Sequence, residues 1–172
     1  MNIFILSLDP WEAARAHCDK HISKMTVEAA QMLASAVLRH NPDAMLASHW
    51  PQTQKGTPYR GGYHHHPCTR WAGDSSENFH WLCEYGKALS MEYTMRYKKL
   101  HACHHPITNL ANIGSSVIPA GELTPFAQAM PDEYRNDDPV VAYRGYYHSK
   151  TFAKWDKGTP APEWWKGLEA IA

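Results

Sequence analysis

Polar and ionisable residues recur at intervals of three and four positions early in the chain: His17, His21, Lys24, Glu28, Gln31 and Ser35. On a helix that turns about 100° per residue, they fall within a stripe roughly 80° wide. The stripe borders an apolar arc instead of lying opposite it, which is unusual for an ordinary surface helix. The pattern therefore predicts one wall of a polar cleft. The alternative interpretation is a solvated flank, because polar residues are mostly exposed.

This set of side chains is suited to acid–base chemistry. A carboxylate such as Glu28, partly desolvated beside cations, can stabilise a developing positive charge or activate water. His17 and His21 can move protons near neutral pH, and a partly desolvated Lys24 can act as an imine-forming nucleophile. These four residues are the predicted catalytic group. A structural ion pair between Lys24 and Glu28, four residues apart, is the competing interpretation.

Two later segments are rich in histidine and cysteine, at 64–68 and at 101–105. Imidazole and thiolate are common ligands of zinc. Neither segment has an established zinc-finger spacing, so a metal site would require these residues to converge with the histidines of the first helix. We therefore expect no cofactor, with zinc as the alternative. Its candidate ligands are His17, His21, His66 and Cys68.

Cations alternate with aromatic rings near the end of the chain, and a second basic cluster lies at 96–99. Such mixtures hold phosphates and stack on bases. The predicted nucleic-acid or phosphate-binding residues are Arg96, Lys99, Arg144, Tyr147 and Lys150. Further residues predicted to line the pocket are Gln31, His66, Trp71 and Glu92. The alternative is a helix whose rings lie in the core while its charged ends reach water.

The elements that must position these residues are helical. Asp9-Pro10-Trp11-Glu12 is a strong helix start, with Asp as the N-cap and Pro in the first turn. The helical pattern continues to about Arg39, a length that allows a break near Cys18. A second long helix is predicted from about Asp74 to Leu100, where apolar residues keep helical spacing.

Shorter elements complete a mainly α architecture. We expect all 172 residues to form a single compact helical domain with two long helices, several short helices and long ordered loops. Residues 42–66 are predicted to form a loop or lid, and residues 107–122 an irregular segment. A helical turn is expected at 124–128 and a last helix at 138–150. The tail, residues 151–172, is expected to wrap the surface.

Charge and composition limit the class of protein. Lys and Arg together number 17, as do Asp and Glu, which excludes a strongly basic chain. Nucleic-acid binding would therefore need a local basic patch. The first residues lack a basic signal segment, the apolar run at 3–8 is too short to span a membrane, and the four cysteines have no C-x-x-C spacing. These features predict a cytoplasmic protein with reduced thiols and no membrane partner; none predicts an oligomeric state.

Several segments together resemble a family of small proteins that are widespread in tailed-phage genomes. The matching segments are Asn2-Ile3-Phe4, His17-Cys18-Asp19-Lys20-His21 with Lys24-Met25 and Glu28, His66-Pro67 with Trp71, Glu92-Tyr93-Thr94 with Arg96-Tyr97, Met130-Pro131-Asp132-Glu133-Tyr134, and Ala142-Tyr143-Arg144 with Tyr146-Tyr147 and Lys150. The chain also distantly resembles the phage pyrimidine-dimer DNA glycosylases of the endonuclease V type. In that family a histidine precedes an essential glutamate by seven residues, as His21 precedes Glu28. Its C-terminal aromatic–basic segment contacts DNA, and residues 146–150 are similar to it.

The resemblance implies a compact helical fold without a metal. It implies that an α-amine at the N-terminus attacks the sugar C1′ to form an imine, while a helix-borne glutamate, here Glu28, stabilises the sugar cation. The basic residues named above would hold phosphates, and an extruded base would lie in a pocket lined by Trp71 or Tyr147.

One difference from the family concerns the amine. Those enzymes expose a small residue at position 2 after methionine is removed, whereas Asn2 favours retention of Met1. This difference makes Lys24 or Lys20 the alternative amine, or implies chemistry that does not use an imine.

The leading hypothesis is a phage DNA-processing enzyme, by analogy a base-excision DNA glycosylase or lyase acting on a damaged or modified base in the host bacterial cytoplasm. An enzyme that modifies a nucleotide or nucleobase, in DNA or free, is the first alternative, because zero net charge suits a small substrate better than duplex DNA. A metal-dependent hydrolase built from the histidine and cysteine clusters is the second. A non-enzymatic phage protein that binds a host factor is the third. The predicted partner is therefore DNA or a nucleotide.

Overall fold

A computed structural model describes residues 1–167 of the chain. In this range there are six α-helices and two short 3-10 helices, and no residue belongs to a β-strand. The helices are α1 (Pro10–Arg15), α2 (Asp19–His40), α3 (Pro67–Asp74), α4 (Ser76–Tyr97), α5 (His104–Gly114) and α6 (Pro139–Tyr147), and the 3-10 helices are Pro42–Leu46 and Asp132–Tyr134. The predicted mainly α class, with two long helices and several short ones, is confirmed. None of the described helices is long and apolar enough to cross a membrane.

Helix α1 begins where the sequence predicts. The side chain of Asp9 accepts the backbone N–H groups of Trp11 and Glu12, both at 2.9 Å. Pro10 occupies the first helical position, where its missing N–H costs no hydrogen bond. The cap therefore fixes the point at which the extended N-terminal segment turns into the helix.

The polar stripe is not one continuous helical face. The chain breaks between α1 and α2, and His17 lies in that break, outside the face of α2 that carries His21. At the other end of the stripe, the hydroxyl of Ser35 accepts the N–H of Gly62 at 2.8 Å and donates to its carbonyl at 2.9 Å. Ser35 therefore anchors the 42–66 segment to α2, and does not contribute to a cleft.

Helix α2 is central to the packing and contacts α3, α4 and α5. The extended residues before α1 enter the same core, since residues 3–6 are each at most 4% exposed. Burying an apolar side chain of this size contributes about 1.5–3 kcal/mol. The hydrophobic core therefore holds the first residues of the chain in a fixed place.

The prediction of an irregular segment at 107–122 is wrong for its first half, which belongs to α5. Pro106 does not prevent this helix, because it lies in the first turn, where backbone N–H groups have no intrahelical partner. Ile107, Leu110 and Ile113 are buried at intervals of three residues, so packing stabilises a helix that its Pro and Gly content did not favour.

The predicted helical turn at 124–128 is also wrong, because none of these residues lies in a helix or a turn. Its backbone is used by side chains of α3 and α4. The N–H of Thr124 donates to Asn78 Oδ1 at 2.9 Å, and its carbonyl accepts the indole N–H of Trp71 at 3.3 Å. These tertiary hydrogen bonds replace the local bonds that a helical turn would make.

The segment after α6 runs back over the start of α2. The N–H of Asp19 donates to the carbonyl of Lys154 at 2.9 Å, and its carboxylate accepts the N–H of Asp156 at 2.7 Å. These two hydrogen bonds fix residues 152–157 beside the N-terminal half of α2. The last part of the predicted tail, residues 168–172, lies outside the described residues.

A buried guanidinium joins α4 to the break between α1 and α2. The side chain of Arg96 is fully buried; its Nε donates to Glu92 at 3.0 Å and its Nη1 to Asp19 at 3.2 Å. Nη1 also donates to the carbonyl of His17 at 2.7 Å, and Nη2 donates to that of Arg15 at 2.9 Å. The prediction that Arg96 holds phosphate is therefore wrong for this structure, because the guanidinium is fully buried and bonded to interior groups.

We predict that Arg96→Ala lowers the free energy of unfolding by about 3–5 kcal/mol, since two buried carboxylates would lose their cation. Urea denaturation measures this change. The control is Arg39→Ala, which breaks a half-exposed ion pair with Asp74 and should cost less than about 1 kcal/mol. Equal effects of the two substitutions would contradict the structural role of Arg96.

Candidate active site

A cavity of about 160 Å³ lies where the N-terminus, α2 and the segment around the end of α6 meet. Its polar lining consists of Asn2, His21, Lys24, Glu28 and Lys150, and its apolar lining of Met1, Phe4, Met25, Tyr146 and Phe152. Three of the four predicted catalytic residues therefore share one cavity. The predicted phosphate-binding residue Lys150 lines it as well, with its ammonium 3.7 Å from the centre of the Tyr146 ring.

The carboxylate of Glu28 is the focus of this cavity. Its Oε2 accepts the backbone N–H of Asn2 at 2.9 Å and lies 3.7 Å from the α-amino nitrogen of Met1. The ammonium of Lys24 lies 3.8 Å from the other oxygen, so the predicted ion pair is present. Glu28 is 9% exposed. A nearly buried carboxylate surrounded by N–H groups and two amines is therefore compensated and held in place.

Asn2 fixes the N-terminus against this carboxylate. Its side-chain Nδ2 donates to the carbonyl of Ala129 at 2.8 Å, and its Oδ1 accepts the N–H of Ile3 at 2.8 Å. The hydroxyl of Tyr143 is a further 3.0 Å partner of Oδ1. The side chain of Met1 is 2% exposed, and Met1 lines the cavity with its amino group beside Glu28.

His21 lines the cavity as a neutral imidazole. The hydroxyl of Tyr147 accepts the N–H of Cys18 at 2.9 Å and forms a 2.9 Å hydrogen bond with His21 Nδ1. Burial, assisted by repulsion from His17 and nearby lysines, lowers the pKa of His21 to about 2. At neutral pH the ring of His21 therefore carries no charge.

His17 does not reach the cavity. Its Nδ1 donates to the carbonyl of Ala13 at 2.7 Å, and its Nε2 accepts the hydroxyl proton of Tyr85 at 2.8 Å. The side chain is fully buried, and this burial lowers the pKa of His17 to about 3. Both nitrogens are used within the core, so the structure gives His17 a packing role in place of the predicted catalytic one.

Several residues predicted to contact nucleic acid are part of the core. Tyr147 is fully buried, and Trp71 is buried against Trp81 and Phe126. Arg144 donates from Nε to the carbonyl of Leu6 at 3.0 Å, which fixes it away from the cavity. The alternative interpretation of the aromatic–basic segment thus holds for Tyr147.

The predicted pocket residues are scattered. Glu92 pairs with Arg96, as described above, and Gln31 is absent from the cavity lining. His66 caps α3, where its Nδ1 accepts the N–H of Cys68 at 3.1 Å. Partial burial and repulsion from the N-terminal ammonium lower the pKa of His66. His66 is therefore near the N-terminus, although it does not line the cavity.

The candidate zinc ligands do not form a metal site within residues 1–167, where no group of three or more His, Cys, Asp or Glu side chains could hold an ion. His17 uses both ring nitrogens in hydrogen bonds. Cys68 is buried beside Asn2, and this burial raises the pKa of its thiol to about 11.

Met1, Asn2, Tyr146 and Phe152 line the cavity but were not predicted from the sequence. Residues 3–8 form an apolar run, and periodicity within a helix cannot indicate which distant segment lies against it. The signal that could have identified Asn2 was the segment Asn2-Ile3-Phe4, which is part of the family resemblance.

The fold and the cavity define a small helical protein in which the N-terminus meets a helix-borne glutamate. A family model described as pyrimidine dimer DNA glycosylase matches residues 1–105, about three fifths of the 172-residue chain. The chain therefore belongs to the pyrimidine dimer DNA glycosylase family. No curated protein and no solved structure matches it. The matched part includes Glu28, His21 and the N-terminus, whereas Lys150 and Phe152 lie beyond it.

The neutral state of the buried histidines predicts a pH dependence of stability. In the unfolded chain a histidine takes up a proton near pH 6.5, whereas folded His17 and His21 stay neutral to about pH 3 and 2. Below pH 6.5 the unfolded state therefore binds more protons, and the free energy of unfolding falls as pH falls. Each histidine contributes about 1.4 kcal/mol per pH unit to this slope.

The test is urea denaturation between pH 6 and pH 4 for the wild type and for His21→Asn, whose amide cannot titrate. We expect the slope of the variant to be smaller by the contribution of one histidine. An unchanged slope would show that His21 is protonated in the folded protein.

Proposed function

We propose that this protein is a DNA glycosylase and lyase that removes a damaged or modified base through an imine formed by the amino group of Met1. The observation that carries the proposal is the 3.7 Å separation between this amino nitrogen and the Glu28 carboxylate inside the cavity. The family membership of residues 1–105 supports the same chemistry. The proposal takes Met1 as the first residue of the mature chain.

The terminal amine suits the reaction better than a lysine. An α-amine is less basic in water than a lysine side chain, so more of it is neutral and nucleophilic at neutral pH. The side chain of Lys24 is 60% exposed, whereas the amine of Met1 is fixed by the buried side chains of Met1 and Asn2. Were Met1 removed, the nitrogen of Asn2 would become the amine, 2.9 Å from Glu28.

In the proposed reaction the lone pair of the amine forms a bond to C1′ of the target nucleotide while the bond from C1′ to the base breaks. The base leaves with that electron pair and takes up a proton from water. Glu28 stabilises the positive charge that develops on the sugar and on the attacking nitrogen. Transfer of a proton from nitrogen to the ring oxygen then opens the sugar and leaves the imine. In the lyase step a base removes a C2′ proton, and the 3′ phosphate departs with the electrons of its C–O bond.

His21 is assigned a positioning role in this reaction. Its Nε2 has no hydrogen-bond partner among the residues that the structure describes, and the ring lines the cavity. A neutral imidazole with a free ring nitrogen can form a hydrogen bond with the substrate without adding charge to the cavity. Lys150 supplies a nearby positive charge for a phosphate.

The size of the cavity favours a polymer as substrate. Sites that enclose a whole small molecule usually have volumes of about 300–1,000 Å³. At about 160 Å³ this cavity suits one sugar or part of one base. The substrate would therefore extend outside it, which favours DNA over a free nucleotide.

We predict that Glu28→Gln slows cleavage of a duplex carrying one cyclobutane pyrimidine dimer by about 10²- to 10³-fold, because the charge that stabilises the sugar cation is lost. Strand cleavage is measured under single-turnover conditions. The control is Glu84→Gln, which removes a carboxylate that also pairs with a lysine and accepts an N–H, but lies outside the cavity. An unchanged rate in Glu28→Gln would contradict the proposed mechanism.

We predict that borohydride traps a covalent complex between the protein and an abasic-site duplex, with the adduct on residue 1. Peptide mass spectrometry locates the adduct, and the intact mass establishes which residue carries the terminal amine. Lys24→Arg should still form the adduct, whereas a chain extended by one residue before Met1 should not. An adduct on Lys24 or Lys20 would overturn the assignment of the amine.

A further inference from the structure

A groove of about 780 Å³ lies beside the cavity, between the first turns of α2, the end of α4 and residues 152–157. Five lysines line it: Lys20, Lys24, Lys99, Lys154 and Lys157. All five are exposed, and they are half of the ten lysines in a chain whose formal net charge is zero. We call this surface the lysine groove.

The positive charge of the lysine groove exceeds the negative charge of its own carboxylates. Asp19 and Asp156 also line it, but Asp19 is paired with the buried guanidinium of Arg96, which leaves Asp156 against five lysines. Within the described residues, one of the five lysines forms an ion pair: the ammonium of Lys24 lies 3.8 Å from the Glu28 carboxylate. The other four ammonium groups therefore remain available to an anionic ligand.

Aromatic rings form part of the same surface. The ammonium of Lys157 lies 4.9 Å from the centre of the Tyr97 ring, and that of Lys20 lies 4.7 Å from the Phe152 ring. Tyr97 is stacked on Tyr93 at 4.6 Å. These contacts pre-position two cations and reduce the entropy that the side chains lose when they bind phosphate.

The lysine groove adjoins the cavity. Lys24 and Phe152 line both of them. A single ligand that places one unit in the cavity would therefore pass Lys24 and Phe152 and continue along the lysines. The groove is also too open to enclose a small molecule, which favours an extended polyanion.

We infer that the lysine groove binds the sugar–phosphate backbone of the DNA strand that supplies the reacting nucleotide. This inference rests on the proposed function, because it takes DNA as the substrate. It adds a phosphate-binding surface formed by Lys20, Lys99, Lys154 and Lys157, of which Lys154 and Lys157 lie outside the part of the chain that matches the family model. The groove explains how a chain of zero net charge can hold a polyanion.

The test is a salt titration of binding to an undamaged 20-base-pair duplex by the full chain and by Lys99→Ala/Lys157→Ala. Each phosphate contact contributes about 0.9 to the slope of log K against log salt concentration, so the slope should fall in magnitude by about 2. Affinity at low salt should fall several-fold. The matched control, Lys55→Ala/Arg60→Ala, removes two exposed cations outside the groove and should keep the wild-type slope.

The outcomes separate this inference from the proposed function. If the groove variant loses slope but the wild type forms no trapped imine, the groove inference stands and the proposed function fails. If imine trapping succeeds and the groove variant keeps the wild-type slope, the groove inference is overturned. An equal loss of slope in the control pair would also overturn it. The inference fails as well if the groove variant loses binding to phosphatidylserine vesicles while its binding to DNA is unchanged.

Discussion

The hydrogen bond from the backbone N–H of Asn2 to Glu28 is the contact on which the site depends. It is formed because two independent requirements agree. Residues 3–6 are apolar and must be buried, and the side-chain amide of Asn2 bonds to the N–H of Ile3 and the carbonyl of Ala129. The carboxylate on α2 then accepts the remaining N–H and lies beside the terminal amine. The position of the terminal amine is thus determined by ordinary core packing.

The protein separates its buried charges into two groups with different roles. Around Arg96, all three side-chain nitrogens donate to Glu92, Asp19 or a backbone carbonyl in the protein interior. Around Glu28, the cations are an amine at the cavity and an exposed Lys24. The first arrangement fixes helices to one another, whereas the second leaves groups that a substrate can contact. A cation beside a buried carboxylate therefore has a structural role where interior groups accept its hydrogen bonds, and is available to a ligand where they do not.

Local sequence signals predicted the helices well where caps and periodicity agree. Asp9 with Pro10, and the polar residues before α4, gave helix starts within a residue or two of those observed. Local signals failed where tertiary contacts decide. Helix α5 forms in spite of Pro106 because its apolar face is buried, and residues 124–128 form no helical turn because the backbone of Thr124 bonds to α3 and α4.

The site was likewise predictable where local spacing decides and not where tertiary contacts decide. The spacing of His21, Lys24 and Glu28 on one helix brings them together in any structure in which α2 forms, so periodicity was sufficient. His17 lies between α1 and α2 once the helix breaks, and no local pattern distinguishes its buried ring from a catalytic one. The contribution of Met1 depends on a contact between the start of the chain and α2, which spacing along the sequence cannot indicate.

The cavity draws its walls from opposite ends of the chain, since Met1 and Glu28 meet Tyr146, Lys150 and Phe152. The chain must therefore be synthesised at least as far as Phe152 before this chamber can close. A nascent fragment that ends at residue 105 carries the carboxylate and the amine but lacks the opposite wall. A truncation that removes residues 146–152 consequently takes away part of the chamber as directly as a change at Met1 or Asn2.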